Sequence, residues 1–266
     1  MALRKQVIFC FLLLAVYLTG QSQNFDTLVD VGNYKLHLSV LQGKGIPILF
    51  EAGAGNDGSI WKQLLKPLHD SLGAPLITYD REGFGKSEID TTDLNIVTEA
   101  KGLEIALRKL GFDEKFFLVA HSLGGNYAMV FCNRNPNKVV GGVFIDIVSP
   151  QFMTRNKALE IKNTFEDSLD VIKKESLGFY YIIKNYEYTN MVMREVAPSI
   201  KIPLTIICAD KPPFDGSEGV RWKQCMKKFA SESSNRRYLI AKNSGHYIFI
   251  DNSKLVIREI IKRYKQ

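Results

Sequence analysis

Residues 116–130 constrain this chain most. Phe116-Phe117-Leu118-Val119-Ala120 is an apolar run with the length and composition of a buried strand, and just beyond Gly124-Gly125 the stretch opening Tyr127-Ala128-Met129-Val130 carries a helical apolar period. His121-Ser122-Leu123 must therefore turn sharply from strand to helix. Such a turn crowds its own backbone, so the residues two before and two after the serine must be small; they are Ala120 and Gly124. The turn lifts the Ser122 hydroxyl above the sheet. It also aims the Leu123 N–H and the positive end of the helix at any negative charge forming there. A small-x-Ser-x-Gly pattern by itself fits an ordinary serine turn. The strand before it, the helix after it and suitable partners downstream give it weight.

Around this turn the chain alternates. Phe25 to Val31 and Tyr34 to Gln42 read as an antiparallel hairpin about Gly32-Asn33. Ile46 to Phe50 is a strand, Trp61 to Leu72 a helix and Pro75 to Tyr79 a strand. Asn95 to Leu110 is a helix with Val97, Ala100, Leu103, Ala106 and Leu107 on one face. Val139 to Ile145 is the strand after the elbow. Such alternation predicts an α/β fold with a mostly parallel sheet covered on both faces. Residues 151–200 break the pattern: rich in Lys, Glu, Asn and aromatics, they read as a small helical cap inserted before the second-last strand. Leu204 to Ala209, Gly219 to Ala230, Arg236 to Ala241 and Ser253 to Tyr264 then resume strand, helix, strand and helix. The core is thus expected over 23–150 and 201–266, a length that suits one large domain.

The first residues read differently. Arg4-Lys5 precede an apolar run from Val7 to Leu18 and then Thr19-Gly20-Gln21-Ser22, the order of a secretory signal peptide, expected over 1–22. The run is too short to span a bilayer comfortably, so a secreted or periplasmic protein without a stable membrane anchor after cleavage is expected, an uncleaved N-terminal anchor being the alternative. Losing Arg4 and Lys5 from thirty-five basic residues, against twenty-eight acidic ones, leaves an excess of about five. The basic residues are scattered, which excludes the basic stripe of a nucleic-acid partner. Cys132, Cys208 and Cys225 remain, an odd number in apolar or helical settings, and read as free thiols.

A nucleophilic serine needs a base within hydrogen-bond reach and an acid to orient that base. Of four histidines, His37 lies in the first hairpin, His69 in a surface helix and His121 in the elbow, its side chain directed away from Ser122. His246, in Asn243-Ser244-Gly245-His246 after the last strand, is placed to return to the serine. Asp146 and Asp210 each follow a strand and could supply the acid; Asp146 is preferred and Asp210 is the alternative, since aspartates at turns also bind their own backbone. Glu51-Ala52-Gly53-Ala54-Gly55 offers tight exposed backbone, so Ala54 N–H joins Leu123 N–H as an oxyanion donor.

With these residues the chain resembles the α/β-hydrolase superfamily over nearly its whole mature length. The likeness rests on Glu51 to Gly55 with Trp61, on Tyr79-Asp80-Arg81-Glu82-Gly83-Phe84-Gly85-Lys86-Ser87, on His121 to Gly125 and on Ser244-Gly245-His246. It implies a serine hydrolase with a cap over the site and no cofactor or metal. Two departures stand out: Ala120 replaces the common glycine, and the usual acid position falls on Pro212, which favours Asp146. A small acyl compound is the expected partner, carboxylic esters first, with amides, thioesters and lactones open. Trp61, Tyr180 and Tyr181 are candidate substrate-binding aromatics, although aromatics at helical spacing more often pack a core.

Two other readings compete. Gly53-Ala54-Gly55-Asn56-Asp57-Gly58 is a G-x-G-x-x-G after a strand, with Asp80 ending the next strand and Tyr180-x-x-x-Lys184 downstream, as an NAD(P)-dependent oxidoreductase would have. The helix opening with Ile60-Trp61, and the hairpin before the strand, speak against it. A hydrolase homologue that binds without turnover is the other.

Overall fold

The computed structural model describes residues 24–266; the expected signal segment lies outside the described residues. Phe25–Asp30 (β1) and Lys35–Leu41 (β2) form the antiparallel hairpin, pairing Phe25 with Val40 and Asp30 with Lys35. Ile48–Glu51 (β3), Lys62–Leu72 (α1), Leu76–Asp80 (β4), Ile96–Lys109 (α2), Phe116–His121 (β5), Gly124–Arg134 (α3) and Val139–Ile145 (β6) follow. Next come Arg155–Asn163 (α4), Leu169–Glu175 (α5), Leu177–Lys184 (α6) and Tyr186–Val196 (α7). Leu204–Ala209 (β7), Gly216–Ser231 (α8), Arg236–Ala241 (β8), Ile248–Asp251 (α9) and Ser253–Tyr264 (α10) complete the chain.

The strands form one eight-stranded sheet in the order β1-β2-β4-β3-β5-β6-β7-β8. β2 runs antiparallel to β1 and β4, and every other neighbouring pair is parallel. β5 lies between β3 and β6 with all six residues buried, because helices cover both faces. Its side chains alternate between two cores. Phe116, Leu118 and Ala120 join Leu103 and Ala106 of α2 and Met129 of α3 on one face. Phe117 and Val119 join Leu64 and Leu68 of α1 and Val256 and Ile260 of α10 on the other. The alternation is the two-residue period of a strand, so a core on each side makes the sequence read as apolar throughout.

Boundaries shift locally. Asn95, expected as the first residue of a helix, is its cap: its side chain accepts from Val97 N and Thr98 N while Thr98 returns a bond to the Asn95 backbone. α8 begins at Gly216, earlier than the expected Gly219, directly after the extended Asp215. The short α9 was not expected. The inserted helices rest on the sheet domain through polar ties: Asn126 of α3 donates to Asn190 of α7 at 2.9 Å, and Asn185 donates to the Leu94 carbonyl at 2.6 Å. Cys132, Cys208 and Cys225 are free thiols, and burial pushes Cys208 up to about 12. Among the described residues no helix is long and apolar enough to cross a membrane.

Candidate active site

Ser122 occupies the left-handed region at φ 51, a conformation that disfavours a residue with a Cβ by about 1–2 kcal/mol. The surrounding backbone holds it there. Ser122 N donates to Ile145 O at 3.1 Å, and Ser122 O accepts from Gly125 N at 3.0 Å and Val148 N at 3.2 Å. Space is as tight as the crowded elbow demands. A Cβ at Gly124 would collide with the carbonyl oxygens of Glu51 and Ala52, and one at Gly53 would lie 3.2 Å from the Ser122 Cβ. Ser122 is therefore wedged between the end of β3 and the start of α3.

His246 reaches Ser122 from the opposite end of the chain. Its Nε2 lies 2.9 Å from Ser122 Oγ, and its Nδ1 lies 2.7 Å from Asp146 Oδ2. Asp146 is fully buried, and its other oxygen accepts from Ala209 N and from the Trp222 indole Nε1, both at 2.9 Å. Two N–H donors on Oδ1 fix the carboxylate, so Oδ2 faces the imidazole. A carboxylate only accepts, so His246 Nδ1 carries a proton and Nε2 is free to accept the serine hydroxyl. Asp210 does something else: its Oδ2 accepts from Asn243 N at 3.1 Å and its Oδ1 is 3.5 Å from Lys223 Nζ. It braces the loop that delivers His246, in which Asn243 has φ 62 and Gly245 N donates to Asp251 Oδ2 at 2.7 Å.

A family model described as alpha/beta hydrolase fold matches residues 46–177, from the approach to β3 through the elbow into the inserted helices. The chain belongs to the α/β-hydrolase superfamily. An uncharacterised Bacillus subtilis protein, YqjL, is 26% identical, the match covering 80% of this chain and 81% of that one. Methylesterase 9 of Arabidopsis thaliana is 29% identical over 53% of this chain and 64% of its own. An esterase from Exiguobacterium antarcticum superposes with a TM-score of 0.68 at 16% identity, covering 88% of this chain and 97% of the other, which is a likeness of fold.

Two groups in this hydrolase escaped sequence reasoning. Trp222 gives no sign of its bond to Asp146, because a lone tryptophan on an amphipathic helix reads as packing, and it does also pack against Phe152 and Phe214. His121 points away from Ser122, as expected, but it is not idle. Its ring centre lies 4.5 Å from that of His246, and its Nε2 is 3.1 Å from the His246 carbonyl. A carbonyl only accepts, so Nε2 holds the proton. Burial first, and the neighbouring His246 second, hold His121 well below the usual histidine range, so its ring is neutral.

Of the two expected oxyanion donors, Leu123 follows Ser122 directly in the chain, and Ala54 follows Gly53, where an added Cβ would stand 3.2 Å from the Ser122 Cβ. Among the described residues neither Leu123 N nor Ala54 N donates to a main-chain carbonyl of a turn or loop. Beneath Ala54 lies a buried polar cluster. Arg81 donates to the carbonyls of Ala52 and Gly53, Tyr79 OH donates to Glu51 at 2.6 Å, and Tyr127 OH donates to Glu99 at 2.9 Å. Burial pushes Glu51 up to about 7 and Glu99 up to about 8, despite the opposing pull of Arg81 and the tyrosines.

Of the expected substrate-binding aromatics, Trp61 needs correction. Trp61 has no exposed surface; it packs between Phe50 and Phe249 with ring centres 5.4 and 4.6 Å away, so it belongs to the core below the site. Tyr180 and Tyr181 meet edge to face at 5.2 Å under Lys173 and Lys184, and Tyr181 lines a small cavity together with Glu99 and Tyr127. Phe179 is the aromatic of α6 beside the loop after β3, 3.9 Å from where a Gly55 Cβ would stand. Exposed Tyr247 accepts a 3.4 Å hydrogen bond from Asn56 of the same loop. The dinucleotide reading loses its anchor as well. Asp80, which would hold a ribose, is buried on Gly58 N, Lys86 N and His37 Nδ1, and α1 opens only after a 3-10 turn over Gly58–Trp61.

Proposed function

We propose that this protein is a serine hydrolase of small carboxylic esters, a carboxylesterase-like enzyme working through a Ser122–His246–Asp146 triad. The observation that carries the reading is the continuous series from Ser122 Oγ to His246 Nε2 at 2.9 Å and from His246 Nδ1 to Asp146 Oδ2 at 2.7 Å. Ser122 Oγ attacks the ester carbonyl carbon while His246 Nε2 takes the hydroxyl proton. The carbonyl electron pair moves onto oxygen, where the Leu123 and Ala54 N–H groups receive it. Collapse of that intermediate expels the alkoxide, which leaves as alcohol with the proton from His246. Water then attacks the acyl-enzyme, with His246 again accepting and returning the proton, and the acid and free Ser122 result.

Esters are favoured by the names of the methylesterase and esterase to which the chain is similar. Ser122 is half-buried, and the aromatics Phe179, near Gly55, and Tyr247, its ring centre 5.5 Å from that of His246, suit a small apolar acyl group. Labelling with a fluorophosphonate tests the reading: the wild type should react one to one and hydrolyse short chromogenic esters, and Ser122→Ala should do neither. A folded wild type that neither labels nor turns over such esters, or one that binds NADPH instead, would refute it.

A further inference from the structure

Arg81 lies just past β4, 3% exposed, beneath the loop that carries Ala54. Its Nη1 donates to the Ala52 carbonyl at 2.6 Å and its Nη2 to the Gly53 carbonyl. The guanidinium carbon stands 4.7 Å from the ring centre of Tyr127 on α3, which fixes its plane from the other side. Two parallel donors on two successive carbonyls use the guanidinium fork, a geometry that a point-like ammonium does not reproduce. Glu51 and Glu99 stand near, but burial lifts them to about 7 and 8, so around neutral pH the firm partners of Arg81 are the two carbonyls.

Peptide planarity transmits this grip to the reaction site. The Gly53 C=O and the Ala54 N–H belong to one trans peptide unit and point in opposite directions. Holding the carbonyl on Arg81 therefore turns the Ala54 N–H away from the arginine, on a loop that abuts Ser122 at Gly53. The other restraint on that carbonyl is a longer bond from Asn56 N at 3.4 Å. A carbonyl polarised by a cation also makes the N–H of the same amide a stronger donor.

We infer that Arg81 is a positioning residue for the oxyanion hole: by gripping the Ala52 and Gly53 carbonyls it sets the peptide plane whose Ala54 N–H receives the developing oxyanion. This rests on the serine-hydrolase reading above. A merely structural role, a positive charge among buried glutamates, would be filled by lysine as well.

Arg81→Lys and Arg81→Met, each in the full chain, separate the two roles. For a short p-nitrophenyl ester, kcat should fall about 10- to 100-fold in both variants, less than loss of a whole oxyanion donor, while KM stays within about threefold. The inhibition constant of a trifluoromethyl ketone, whose adduct with Ser122 carries an oxyanion, should rise by the same factor as kcat falls. The melting temperature of Arg81→Lys should stay near that of the wild type. A folded Arg81→Lys with kcat and inhibitor affinity within threefold of the wild type would overturn the inference. Should neither variant fold, the Ala54 amide proton of the wild type decides: a downfield shift on forming the ketone adduct supports the inference, and an unmoved signal overturns it. A wild type without turnover or labelling defeats the hydrolase reading itself, whereas an active wild type indifferent to Arg81 defeats this inference alone.

Discussion

Asp146→Asn should disable the enzyme through a change of tautomer, with little loss of fold. The buried side chain meets Ala209 N and Trp222 Nε1 at one oxygen and His246 Nδ1 at the other. An amide offers one acceptor and one donor in place of two acceptors. With its NH2 turned to Ala209 and Trp222, two buried N–H groups would lose their acceptor, at about 1–3 kcal/mol each. With its oxygen there, both stay satisfied, so this orientation wins by a few kcal/mol. The NH2 then faces His246 Nδ1, which must accept, and the imidazole proton moves to Nε2. An Nε2–H cannot take the proton of Ser122. A serine triad locked in the wrong tautomer loses about 10⁴ in kcat, or roughly 5.5 kcal/mol of barrier. The near-isosteric amide should leave the melting temperature within a few degrees of the wild type. Steady-state hydrolysis of a chromogenic ester and thermal unfolding read the two effects separately. Asp210→Asn is the control. Its amide oxygen still accepts from Asn243 N, and only a 3.5 Å contact with Lys223 on an exposed carboxylate weakens, so turnover should stay within about threefold. Turnover of Asp146→Asn within tenfold of the wild type, or an equal collapse in Asp210→Asn, would refute the reasoning.

The remaining expectations concern the supporting groups. Trp222→Phe removes one charge-assisted hydrogen bond from Asp146 and should lower both kcat and stability, the latter by about 1.5–3 kcal/mol plus the cavity left by the smaller ring. A stability loss without a change in kcat would show that the indole only packs. Stability should also fall as pH rises from 6.5 to 8. Glu51 and Glu99, lifted by burial from 4.5 to about 7 and 8, bind protons in the folded state that the unfolded chain has already released, so each extra bound proton removes ~1.4 kcal/mol per pH unit. His121 acts at the other end, since its lowered pKa removes stability only as pH drops below 6.5. Melting curves of the wild type and Glu99→Gln across pH 6.5 to 8 check this: the wild type should lose stability and the variant should lose less. Equal slopes would contradict the assignment.

What the sequence determined by itself was the frame. The apolar run Phe116–Ala120, the small residues around Ser122 and the alternation of strands and helices are local patterns, each set by steric limits within a few residues of chain, and all eight strands appear where those patterns lie. Chain order alone also led to His246, because a histidine after the last strand of a parallel sheet ends on the same edge as the elbow. Contacts between distant segments were not legible in this way. Asp146 and Asp210 both follow strands and look alike in sequence; only the backbone turn at Asp146, with φ 42, and the arrival of Trp222 from α8 decide which one faces the imidazole. Trp61, expected against the substrate, lies in the core for the same reason, since an aromatic's neighbours depend on how distant elements such as α9 settle against the sheet. Arg81 is one basic residue among many until the fold sets two carbonyls within reach of its guanidinium. Local sterics are written in neighbouring residues, whereas hydrogen-bond partners brought from far along the chain are chosen only when the whole core packs.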